Sequence, residues 1–217
     1  MANRNEECRY TKTAHYQIWA KKLMGGNFLG VVCAERILGR PLSRYERGIL
    51  RDMPFSVEML KACKHTHVLI AVPYITINEM YDDTRLHKLF CKTTSNWWRS
   101  ENFAKEKMRV GWYLVRKNEG PDSVGHDFRA HKIMEAEGRI GGPDEVIAPA
   151  NIVIYTMALR KCYLGEIPFP QGVYTRDSAI CPKEQVIVCS DFFTDQIEIG
   201  LAPICTTLGC ATMKKVY

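Results

Sequence analysis

Four short runs lie between residues 172 and 213: Gly172-Val-Tyr-Thr-Arg176, Gln185-Val-Ile-Val188, Gln196-Ile-Glu-Ile199 and Gly209-Cys-Ala-Thr-Met213. Each is rich in β-branched side chains and is bounded by turn formers, so the spacing predicts strands. Upstream, Ala148-Pro149 puts proline at a helix start, and Ala150 to Leu164 carries apolar residues all round before Gly165. That pattern predicts a buried helix.

Working further back, His67-Val-Leu-Ile-Ala-Val-Pro73 is a continuous apolar run, expected as a buried strand. Arg109-Val-Gly-Trp-Tyr-Leu-Val-Arg116 alternates as a second strand. Residues 1 to about 62 read as helical. Tyr16 to Leu23 end at Gly25-Gly26. Phe28, Leu29, Val32, Ile37 and Leu38 then repeat at helical spacing up to Gly39. Pro41-Leu-Ser43 and Pro54-Phe-Ser56 open two further helices. Helices, then a mixed section, then strands make an α+β fold rather than a doubly wound sheet. The expected division is a helical segment at 1–62 packed on a main domain at 63–217.

The chain has 217 residues, 46% apolar and 25% charged, which is the composition of a globular protein with a sizeable core. No stretch approaches the roughly 18 apolar residues of a membrane helix. Residues 1–19 carry charges where a signal peptide needs an apolar segment, so a cytoplasmic protein without membrane insertion is expected. Nine cysteines, an odd number with no C-x-x-C spacing, read as small buried hydrophobes in a reducing compartment. The net charge of +6 is mild, and the basic residues are scattered (Lys21-Lys22, Arg36, Arg40, Arg44, Arg47, Arg51, Arg116-Lys117, Lys214-Lys215), with acids between them. A solvated surface is the expectation, not a nucleic-acid stripe.

Motifs for chemistry are sparse. Cys63-Lys-His65-Thr-His67 is dense in metal-competent side chains but lacks a matching second pair, so no metal is expected. No phosphate-loop glycine pattern is present, and Gly138-Arg-Ile-Gly-Gly-Pro143 reads as a turn. His126 and His131 are five apart on an expected helix, a poor spacing for a shared face. Trp97, Trp98, Trp112 and Tyr113 read as core aromatics rather than a stacking surface.

The most unusual composition is local. Ile199 to Thr212 reads IGLAPICTTLGCAT, fourteen residues without a charge and without Lys, Glu, Gln, Met or Trp. Every residue there has a codon ending in a pyrimidine, as remains when adenines of Asn-type codons are randomised and the third base is kept. A buried terminal hairpin would also avoid charge.

The whole chain resembles a family of microbial proteins that are targets of diversity-generating retroelements and carry a C-type-lectin-like terminal domain. The matching residues run in order through Gly26-Asn-Phe-Leu-Gly30, Leu38-Gly-Arg-Pro-Leu42, Tyr45-Glu-Arg47, Pro54-Phe-Ser-Val-Glu58 and Trp97-Trp98. They continue through Gly111-Trp-Tyr-Leu-Val-Arg-Lys117, Pro121-Asp-Ser123, Val173-Tyr-Thr-Arg-Asp-Ser178, Val186-Ile-Val188 and Leu208-Gly-Cys-Ala211. The resemblance implies a non-catalytic binding protein without cofactor or metal, whose variable segment, about 186–211, contacts a macromolecular ligand, a protein. Strand alternation sends Val186 and Val188 to the core and Ile187 to the ligand side. The implied contact residues are Ile187, Ser190, Phe193, Asp195, Ile197, Ile199, Ile204, Cys205, Thr206 and Thr207. Relatives usually show Asn, Tyr, Asp and Ser here, and Cys189 stands where glycine is expected, which makes this variant's face greasy. Two alternatives are an oxidase of the formylglycine-generating kind using Cys205 and Cys210, and a basic nucleic-acid-binding module built on the N-terminal helices.

Overall fold

The computed structural model describes residues 16–91, 96–142, 144–169, 173–178, 184–190, 196–203, 206 and 208–214. The fold is α+β, with helices and mainly antiparallel strands. Helix α1 occupies 16–24, followed by β1 (Phe28–Leu29), α2 (Val31–Leu38), α3 (Arg44–Leu50), α4 (Val57–Cys63) and β2 (His67–Val72). Next come α5 (Ile77–Asp82), α6 (Asn102–Lys105), β3 (Gly111–Arg116), α7 (Phe128–Ala136), β4 (Glu145–Ile147) and α8 (Ala150–Leu164). The last strands are β5 (Val173–Ser178), β6 (Glu184–Ser190), β7 (Ile197–Pro203), β8 (Gly209–Cys210) and β9 (Thr212–Lys214).

Local chemistry explains most boundaries. Ser43 caps α3 in a reciprocal box with Glu46, and Ser56 caps α4 by accepting from Met59 N. Gly39 and Gly165, both left-handed, stop α2 and α8. One expectation fails: Phe28 and Leu29 are not helical but form β1, parallel to β2. Gly30 starts α2 only after them, and the Phe28 ring packs 5.6 Å from Trp112.

Two sheets share one helix. The first has order β1-β2-β3-β9-β4, the second β7-β6-β5-β8. In β2, Val68, Ile70 and Val72 face α8, while Leu69 and Ala71 face the N-terminal helices together with Trp112, Leu114 and Leu60. Both faces are buried, which is why this strand is apolar from Val68 to Val72. The other side of α8 receives Val173, Val186, Val188, Ile197 and Ile199 of the second sheet. Sandwiched between sheets, α8 buries residues on every face, as its sequence requires. Trp98 and Trp112 are core residues, and Trp112 Nε1 donates to Leu50 O.

The run 209–213 is not one strand. Ala211 divides it: β8 pairs with β5 in the second sheet, and β9 enters the first sheet between β3 and β4. Glu145 of β4, a strand absent from the sequence expectations, lies at this seam. Its carboxylate accepts from Arg116 Nε (3.0 Å) and Nη2 (2.6 Å), from His67 Nε2 (3.2 Å) and from Thr212 Oγ1, with Lys214 Nζ at 3.5 Å. Burial alone would raise the Glu145 pKa, but these donors outweigh it and hold it at about 2. Burial lowers the His67 pKa, so the imidazole is neutral, with Nδ1 accepting from the Thr66 hydroxyl.

Candidate functional site

The second sheet has two unlike faces. Its register pairs Val173 with Val188, Val188 with Ile199, and Tyr174 with Ile187, which in turn faces Gly200. Paired residues in antiparallel strands share a side. One side therefore packs on α8, and the other carries Tyr174, Ile187, Cys189, Glu198, Gly200 and Ala202. On that outer side Tyr174 and Ala202 are buried against Phe128 and Met134, whereas Ile187, Cys189, Glu198 and Gly200 are half-buried. A Cβ at Gly200 would sit 3.4 Å from Ile187 Cγ1, so the isoleucine lies over bare backbone. Cys189 Sγ donates to Glu198 Oε2 at 3.6 Å.

Tyr174 anchors the turn that follows β7. Its hydroxyl lies 2.7 Å from Pro203 O and 2.8 Å from Thr206 O, and Thr206 N donates to Pro203 O at 2.9 Å. Every acceptor in this arrangement is a main-chain carbonyl. Thr206 enters this arrangement through its backbone, and the residue is half-buried. The start of β7 is fixed likewise through the backbone, by Cys91 N donating to Ile197 O.

Of the expected contact residues, Ile187 and Thr206 lie at this outer region. Ile197 and Ile199 do not: they are 1% and 6% exposed and belong to the core with Val186 and Val188. Once the valines face inward, the register leaves Ile199 no other side, and Ile197 follows two residues on. Ser190 ends β6 opposite Ile197. Phe193, Asp195, Ile204, Cys205 and Thr207 lie outside the described residues. Cys189, Glu198 and Gly200 were missed, although alternation from Ile187 finds the first of them and the register finds the other two.

A second constellation lies behind Tyr174. Cys210 Sγ is 2.8 Å from His131 Nδ1, and His131 Nε2 is 2.7 Å from Ser123 O. The carbonyl accepts only, so Nε2 carries the proton and Nδ1 accepts from the thiol. Both side chains are fully buried, and Ser123 Oγ accepts from Cys210 N at 2.9 Å. Burial pushes the Cys210 thiol well up and the His131 imidazole down. The resting pair is therefore neutral thiol and neutral imidazole, the reverse of the thiolate that a nucleophile needs.

The Cys63–His67 cluster is dispersed: Cys63 ends α4, His65 is exposed, and His67 points to Glu145. Among the described residues no group of three His, Cys, Asp or Glu side chains is placed to hold a metal ion, and no helix is long and apolar enough to cross a membrane. No protein-family model, curated protein or solved structure matches the chain.

Proposed function

We propose that this chain is a non-catalytic binding protein of the retroelement-diversified kind, with a C-type-lectin-like frame and a protein as its ligand. The contact surface is the outer side of β6 and β7, from Ile187, Cys189, Glu198 and Gly200 to Thr206. Ile197 and Ile199 belong to the frame.

The observation that carries this reading is that the Tyr174 hydroxyl holds Pro203 and Thr206 by their main-chain carbonyls. A diversified surface needs positions whose side chains are replaceable without unfolding the scaffold. A turn tied by carbonyls and amides meets that demand, and so does a strand with one side sealed on α8 and the other half open. Half-buried apolar and thiol side chains beside the Glu198 carboxylate suit a protein surface better than a sugar.

The test is genetic. Sequencing the DNA around the gene should find a near-identical copy of the segment for residues 186–211, differing mainly at adenines, with a reverse transcriptase gene nearby. Finding neither removes the basis for diversification.

A further inference from the structure

We propose that α3 presents a nucleic-acid-binding groove, on a part of the molecule separate from the surface discussed above. Arg44, Arg47 and Arg51 are spaced three and four apart, so a helix and its C-terminal extension align them on one side. They line a groove of about 760 Å³ with an apolar floor that includes Val31, Leu42 and Leu50. Among the described residues no carboxylate and no lysine lines it. From Arg44 to Arg51 the helix rises about 10 Å, a row of guanidinium groups rather than a point charge. Planar guanidinium forks match phosphate oxygens in pairs, and a row about 10 Å long suits the repeating charges of a phosphodiester chain.

Two details fit a ligand seat. Gly48 lies in the middle of α3 between the arginines, and a Cβ there would meet nothing within 4 Å. A residue poor for helices thus opens the helix surface to close approach. Arg47 meets the half-buried Glu35, whose Oε1 also accepts from Leu42 N, at 3.0 Å, and Arg51 meets the exposed Asp52 at 3.5 Å, a pair that solvent screens. Arg40 is different. It is held in two bonds to the buried Glu46 and stays with the frame. The region Tyr16–Cys63 also carries eight Lys and Arg against four Asp and Glu, so the field around the groove is positive.

The experiment is fluorescence anisotropy of the full chain with a labelled single-stranded DNA of mixed sequence, across a salt series. Three phosphate contacts give a log–log salt slope of about −2. R44Q/R47Q/R51Q should weaken binding at least about tenfold and flatten the slope toward zero. Gly48→Glu places a carboxylate among the arginines without a steric clash and should weaken binding as strongly while Tm stays the same or rises. R129Q/K132Q/R139Q removes equal charge around α7 and should bind as the unaltered chain does. The proposal is overturned by a salt-independent signal, by a Gly48→Glu variant that binds normally, or by an α7 variant that loses as much. It is also overturned if poly-glutamate of equal charge displaces the oligonucleotide equally well, since the groove then serves acidic protein.

Discussion

Strands β2 and β7 are of similar length but live under different constraints. All six residues of β2 are buried, three toward α8 and three toward the other side of the first sheet. In β7, Ile197 and Ile199 are buried, Glu198 and Gly200 are half-buried, and Leu201 and Pro203 are exposed. The first strand tolerates almost no replacement on either side. The second tolerates it on one side only, and in the turn that its end enters. A surface meant to vary has to sit where structure is paid for by backbone and by the opposite side of the strand.

The largest expected effect breaks the frame. Glu145→Gln leaves Arg116 and Lys214 facing a neutral amide and should cost about 3 to 5 kcal/mol in urea unfolding. Glu145 has a depressed folded pKa of about 2 against an ordinary 4.5. Its contribution is therefore complete above about pH 5 and is lost as pH falls through 4.5 toward 2. The gap between the two proteins should close over that acid range, as followed by chemical denaturation at stepped pH. Next, Ile199→Ala should cost about 2 to 4 kcal/mol, because a core methyl cluster is emptied. A cost under 0.5 kcal/mol would return Ile199 to the contact surface. Tyr174→Phe should cost about 1 kcal/mol and raise amide exchange at Thr206 while leaving exchange in β2 unchanged. Smallest, Glu198→Gln and Cys189→Ser should each shift stability by less than about 0.5 kcal/mol. If they instead match Ile199→Ala, the outer side is frame and the contrast between the two strands collapses.

Sequence reading reached what is local. Ser43, Ser56, Gly39 and Gly165 mark helix ends by their own chemistry, and the apolar run 68–72 and the apolar residues spread all round 150–164 announce burial on all sides. What stayed hidden depends on partners. The sides of Ile197 and Ile199 follow from a pairing with β6 that strand composition does not encode. Three residues beginning with glutamate do not look like a strand, so β4 emerges only when Thr212 and Lys214 are beside it. The arginines of 44–51 look scattered on a line and fall into a row only on a helix. His131 and Cys210 are 79 residues apart, and no periodicity joins them.

The position of β9 has a consequence for synthesis. This strand, from residues 212–214, occupies the slot between β3 and β4, both made much earlier. Translation adds about 5 to 20 residues per second, so β3 waits on the ribosome for roughly 5 to 20 s with one flank bare. An unfilled slot of that kind invites foreign strands, and a nascent chain held this long is a natural client for holdase chaperones until Ala211 carries the polypeptide across.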